Sequence, residues 1–257
     1  MRRIERRLLI ASALLAAVAL ARAAEVRVAV ASNFAAPMKA IAAQFEQATG
    51  HHARVSLGAT GAFYAQIRHG APFEVLLAAD AATPARLVAD GAADAGSRFT
   101  YAVGRLVLWS ARADRVDAQG ATLRAPPRAG ERLAIANPRL APYGAAAEQV
   151  LERQGVAALW RDRRVQGENI AQTHQFVASG NAALGFVALA QVVAPDGGFA
   201  SGSGWRVPES LHDPIRQDAV LLARGRANPA AAALLQYLRS DAARRVIAAH
   251  GYGLAAP

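Results

Sequence analysis

The sequence predicts an α/β protein with mainly parallel sheets, and three observations carry that prediction. Strand-like and helix-like patterns alternate along the chain from residue 24 onwards. Several short apolar runs end on Ser, Thr, Asn or Gly and pass directly into segments of helical spacing, the habit of βα units. Roughly 234 residues remain once a leader is set aside, enough for one large domain or two lobes of ordinary size. No low-complexity tract and no fixed-period repeat interrupts the alternation.

The leader is residues 1–23. Arg2, Arg3, Arg6 and Arg7 form a basic head, Leu8 to Leu20 is apolar, and Ala21-Arg22-Ala23 supplies small residues at the cleavage positions. An uncleaved anchor is the weaker reading, because the apolar core falls short of the ~20 residues a spanning helix needs. The mature chain is expected to start at Ala24 and to be free in the periplasm. With no cysteine anywhere, a lipidated Cys, a disulfide and a thiolate metal site are all excluded.

The formal charge of +10 is not a nucleic-acid signature. The leader accounts for a net +4 of it, through five arginines against Glu5, and leaves +6. Lys39 is the single lysine, and the arginines are scattered rather than gathered into a basic stripe with aromatics.

The mature chain opens on Val26-Arg27-Val28-Ala29-Val30, a strand by alternation, followed by Ser32-Asn33. Phe34, Met38, Ile41 and Phe45 then recur at helical spacing. Ala53 to Leu57 is a second strand, which runs through Gly58-Ala59-Thr60-Gly61 into a helix bearing Phe63, Tyr64 and Ile67. Phe73 to Ala79 is a third strand, and Thr83-Pro84 looks like a cap followed by proline at the first helical position. Asp80 is read as a local turn or cap acceptor rather than a catalytic carboxylate.

Tyr101 to Trp109 reads as one long apolar strand. After a turn-rich stretch, Leu133 to Ala136 is a strand ending at Asn137-Pro138, and Ala141-Pro142-Tyr143-Gly144 feeds a helix closed by Gly155. Arg164-Val165 suggests a short strand; Glu168-Asn169 then leads into a helix from Ile170 to Ser179, with Asn169 as its cap. Leu184 to Ala188 and Gln217 to Ala223 read as strands, with a loop from Pro195 to Pro208 between them. Helices opening at Asn228-Pro229 and at Asp241 end the chain.

The motifs of common chemistries are missing. There is no G-x-x-x-x-G-K, no G-x-G-x-x-G after a strand and no H-E-x-x-H. Ser201-Gly202-Ser203-Gly204 neither follows a clear strand nor opens a helix, so it is not a nucleophile elbow. His51 and His52 would face opposite ways on a strand, and His174 sits without a partner on a helix. No catalytic residue is assigned.

What recurs instead is a strand-to-helix turn carrying small neutral donors: Ser32-Asn33, Thr60-Gly61, Tyr143-Gly144 and Asn169-Ile170. First-turn amides lack intrahelical acceptors and sit at the positive end of the helix dipole, which suits an anion. For any one turn the plain alternative is an ordinary cap, or for Tyr143 simple packing. Donors without acceptors suit a fully ionised tetrahedral dianion; a monoprotonated anion would want an acceptor for its proton.

Over the whole mature length the chain resembles the periplasmic molybdate-binding proteins that serve an ATP-driven importer. The stretches that carry the resemblance are Ala31-Ser32-Asn33-Phe34, Gly58-Ala59-Thr60-Gly61, Gly70-Ala71-Pro72, Ala79-Asp80, Gly104 to Trp109, Asn137-Pro138, Ala141-Pro142-Tyr143-Gly144, Ala178-Ser179-Gly180 and Leu184-Gly185-Phe186-Val187. The resemblance implies a two-lobed periplasmic binding protein of type II topology, with the ligand in the cleft between lobes and two crossover strands as hinge. Residues 24–103 and 225–257 would form the first lobe and 104–224 the second, hinge strands included.

It also implies an oxyanion site at Ser32, Asn33, Thr60, Tyr143 and Ile170, with Ser32 and Thr60 giving hydroxyls and amides, Tyr143 its hydroxyl or nearby amide, and Ile170 its amide. Some members carry a further tyrosine donor where this chain has Ala188, and Tyr143 is taken to compensate. The expectation is a monomer that binds molybdate, and tungstate with it, for an ABC-type permease, with no cofactor, no enzymatic step and no nucleic acid. A binding protein for sulfate or an organic anion, and a secreted hydrolase, are the alternatives.

Overall fold

The computed structural model describes residues 23–254, so nearly all of the expected leader lies outside the described residues. Strand β1 (Glu25–Ala31) buries Val26, Val28 and Val30 completely while Arg27 stays exposed, as its alternation requires. It pairs in parallel with β2 (His52–Gly58) on one side and β3 (Val75–Leu77) on the other. Two further strands complete the first sheet: β10 (Ile215–Leu221), which runs the other way, lies antiparallel to β3 and to β4 (Phe99–Gly104), so β4 runs in the direction of β1. The strand order is β2-β1-β3-β10-β4.

The second sheet has the order β7-β6-β8-β5-β9 and repeats the plan. Strands β6 (Leu133–Ala136), β7 (Arg164–Gly167) and β8 (Leu184–Ala188) are mutually parallel, and β5 (Leu106–Ser110) runs antiparallel to β8 and to β9 (Ser203–Arg206).

Helices cover both faces of each sheet, which is why the strands are apolar nearly throughout. On one face of the first sheet, α1 (Ala35–Thr49) brings Met38, Ile41 and Phe45 against Leu234, Leu235 and Leu238 of α6 (Pro229–Leu238) and Ile247 of α7 (Asp241–Ala249). On the other face, Phe63 of α2 (Thr60–Arg68) and Leu87 of α3 (Ala82–Ala89) meet Leu76 and Val220. The second sheet packs Leu106, Leu108, Ile135 and Phe186 against Val150 and Leu151 of α4 (Pro142–Arg153) and against Trp160. Its opposite face holds Val107, Trp109 and Val187 beneath Val177 of α5 (Ile170–Ala178).

The chain changes sheet at Arg105 and again between Arg206 and Ile215. The run Tyr101 to Trp109 is therefore two strands in two lobes, broken where Gly104 is followed by an exposed Arg105. The segment 195–208, read as loop, contains β9, whose Ser203 and Trp205 are buried. The Ser203 hydroxyl donates to the Arg112 carbonyl at 2.6 Å and accepts from the amides of Arg115 and Val116, so it is a structural group and no nucleophile. Thr83 does not cap α3, which starts at Ala82; Asp80 does that work, accepting from the Thr83 amide at 2.6 Å.

Candidate functional site

In each lobe, two adjacent parallel strands end side by side and each feeds a helix. Ala31 of β1 is opposite Gly58 of β2, so Ser32 and Thr60 emerge together at the carboxyl edge of the first sheet. Ala136 of β6 is opposite Gly167 of β7, so the turns leading to α4 and α5 emerge together from the second. In open α/β sheets, ligands bind outside these carboxyl ends. Here the two edges face one another across the junction of the lobes.

Between them is a small cavity lined by Ala31, Ser32, Asn33, Gly58, Ala59, Thr60, Ala79, Ala141, Pro142, Tyr143, Asn169 and Ile170. All five residues expected from the sequence line it. None of the lining residues carries a formal charge at neutral pH.

The first lobe contributes two hydroxyls. Thr60 is 1% exposed and its Oγ1 accepts from the Ala79 amide at 2.9 Å, which leaves its proton to be donated. Ser32 is in a single 3₁₀ turn, Ser32–Phe34, that precedes α1. Neither it nor Asn33 caps the turn, so the plain reading of these two as helix caps does not hold. The Ser32 hydroxyl instead reaches across to the other lobe, donating to Asn169 Oδ1 at 3.3 Å and accepting from the Ala171 amide at 3.4 Å. Both contacts are long, and a charged oxygen in the cavity would compete well against them.

Asn33 contributes differently from its hydroxyl neighbours. Its Nδ2 donates to Gln217 Oε1 at 2.8 Å and to the Tyr252 phenol at 3.0 Å, which engages both of its hydrogens within the protein. Of its donors, only the backbone amide remains for an anion.

The second lobe contributes helix amides. Tyr143 follows Pro142 in the first turn of α4, and Ile170 opens α5, so neither amide has an intrahelical acceptor. The Tyr143 phenol accepts from Gln217 Nε2 at 3.1 Å and hydrogen-bonds with the Tyr252 phenol, so its hydroxyl belongs to the polar cluster behind the cavity, and its first-turn amide is the contribution without a partner in the protein. Burial pushes the phenols of Tyr143, Tyr101 and Tyr252 above their ordinary value, and all three stay protonated. Asn169 caps α5 through the Ala171 and Gln172 amides, each at 3.0 Å, so its Oδ1 is already filled. Where Ala188 stands, β8 is tied to the site by a residue the sequence reading missed. Gln191 Oε1 accepts from the Ala188 amide at 2.9 Å, and its Nε2 donates to the Ile170 carbonyl at 3.1 Å.

The lobes are in contact around the cavity. The Gly61 amide donates to the Leu140 carbonyl across the junction at 2.8 Å, and a Cβ on Gly61 would lie 3.0 Å from Leu140 Cα. Ala31 and Ala79 of the first lobe join the apolar core of the second. Asp80 is at the edge of a neighbouring cleft; burial raises its pKa, and Thr83 holds it by amide and hydroxyl. His174, which is not among the residues lining the cavity, stacks on Trp109 with ring centroids 5.1 Å apart.

A site of this form, two lobes closing on neutral donors, is what a capture protein needs, and the comparisons with known proteins decide the family. Residues 26–253 match the family model for bacterial extracellular solute-binding proteins. The chain belongs to that family. Among the solute-binding proteins it is 59% identical over 234 residues to molybdate-binding protein ModA of Azotobacter vinelandii, covering 91% of this chain and 92% of that protein. It is 48% identical over 232 residues to molybdate-binding protein ModA of Rhodobacter capsulatus, covering 90% and 89%. The solved structure of an Azotobacter vinelandii periplasmic molybdate-binding protein superposes with a TM-score of 0.85 at 39% identity, over 90% of this chain and all of that one. The two-lobed α/β fold expected from the sequence is the fold of this solute-binding family.

Proposed function

We propose that this solute-binding protein captures molybdate, and tungstate with it, and presents it to an ABC-type importer. The observation that carries the reading is the interlobe cavity whose donors are the hydroxyls of Ser32 and Thr60 and the first-turn amides at Asn33, Tyr143 and Ile170, with no formal charge and no vacant carboxylate among the lining residues. Such a set favours an anion that only accepts hydrogen bonds. Two relatives at 59% and 48% identity are called molybdate-binding proteins, which supports the choice among dianions.

The mechanism is capture without bond-making. The anion docks on one edge, the other lobe closes over it, and the closed form is what the permease receives. A larger oxyanion reaches donors from both lobes at once, whereas sulfate leaves some unpaired. The site is complete within one chain, in keeping with a monomer, and the basic leader supports a periplasmic location.

The test is a thermal-melt screen of residues 24–257 with molybdate, tungstate, sulfate and phosphate. A ligand at 100 times its Kd adds about 2.7 kcal/mol, several degrees for a chain of this size. A rise with molybdate and tungstate alone is expected. A rise with sulfate alone would move the protein to the sulfate class, and no rise with any oxyanion would end the anion reading.

A further inference from the structure

Behind the cavity lies a polar cluster that the capture mechanism does not use, and it crosses the junction of the lobes. Gln217 of β10 is completely buried, an unusual setting for a glutamine on a strand. Its Oε1 accepts from Asn33 Nδ2 at 2.8 Å and from the Tyr101 phenol at 3.1 Å, both in the first lobe. Its Nε2 donates to the Tyr143 phenol at 3.1 Å, in the second lobe. The same Asn33 is locked from its other side, since the Tyr252 phenol donates to its carbonyl at 2.7 Å and accepts from its Nδ2.

We infer that Gln217 is the positioning residue of the oxyanion site, a latch that holds the Asn33 edge of one lobe and the Tyr143 turn of the other in the spacing the bound anion requires. This rests on the capture reading given above. The residues on either end of the latch line the cavity in the first turns of their helices, so a displacement of the carboxamide moves both halves of the donor set. The latch also explains a glycine at the first crossing between sheets. A Cβ on Gly104 would lie 2.6 Å from Gln217 Nε2 and closer still to the Tyr143 hydroxyl, so any larger residue would wedge the pair apart.

A bond made between lobes should act on release of ligand more than on folding, because in the open form water can replace it. The decisive variant is Tyr143→Phe, which keeps the amide and the ring and removes one oxygen. Molybdate release is followed by displacement, with sulfate run in parallel, so a wild type that holds only sulfate would overturn the molybdate reading while still reporting on the latch.

The expected result is release on the order of tenfold faster, the size of one buried donor left unpaired, with melting of the unliganded protein unchanged. Gly104→Ala should release faster as well. Gln217→Leu, which also strands Asn33 and Tyr101, should release fastest, and adding Tyr143→Phe to it should change release no further, since both remove the same bond. Release from Tyr143→Phe at the wild-type rate overturns the inference, whether or not the variant's stability falls.

Discussion

Replacing Thr60 by valine is the perturbation that best separates the two things this residue does. Thr60 is almost fully buried and lines the cavity, and its Oγ1 accepts from the Ala79 amide at 2.9 Å, which leaves one proton to donate. Valine has nearly the same shape, so packing is preserved and the two polar roles are removed together. A hydrogen bond to a charged group contributes about 1.5–3 kcal/mol, so molybdate affinity should fall roughly 10- to 150-fold. Independently, the Ala79 amide loses its acceptor in a buried place, at a cost of about 1–3 kcal/mol to the unliganded protein.

Titration calorimetry reads the first effect and a thermal melt without ligand reads the second. Thr60→Ser restores the hydroxyl and should recover most of both. If Thr60→Val binds molybdate within twofold of wild type, the hydroxyl is not a ligand and the donor set is wrong at its best-defined member. Loss of stability without loss of affinity would leave Thr60 as a strut for Ala79 alone.

Four further outcomes are expected. Ile170→Ala removes a side chain that is 3% exposed but keeps the amide, so the melting temperature should drop while calorimetry gives an almost unchanged Kd. Gly61→Ala puts a Cβ 3.0 Å from Leu140 backbone across the junction and should weaken binding by impeding closure, with little change in the unliganded melt. Tyr143 is the one lining residue that can ionise, and burial pushes its phenol up, so Kd should be flat between about pH 6 and 9. The sign for stability follows from the same shift. Because the buried phenols of Tyr143, Tyr101 and Tyr252 hold their protons more tightly folded than unfolded, their contribution is intact below about pH 10 and is lost as pH rises further. A melt series from pH 7 to 11 checks it, and a flat profile above pH 10 would contradict it.

Much of this was legible in the sequence, for a local reason. Alternation and helical spacing place β1, β2, α1 and α2 within a few residues, and the turns between them are where donors must sit. What hydropathy cannot report is which sheet buries a residue. The run Tyr101 to Trp109 is uniformly apolar, yet Arg105 divides it between lobes. β9 was missed because Ser-Gly-Trp-Arg has no β-branched residue; its pairing is enforced by neighbours distant in sequence. The same limit hid Gln217 and Gln191. The only sequence signal at Gln217 is a Gln-Asp pair inside an apolar strand, where the structure has a bulge with both side chains buried. Asn33 shows the limit from the other side: the position was found, but its side chain serves Gln217 and Tyr252.

The most direct measurement is a crystal structure of residues 24–257 grown with molybdate, with data collected at the molybdenum absorption edge. A single anomalous peak within the cavity between Ser32 and Thr60 on one lobe and Tyr143 and Ile170 on the other is the expected result, with hydrogen-bond distances to both hydroxyls. A peak elsewhere, or none in crystals soaked at saturating molybdate, would contradict capture at this site.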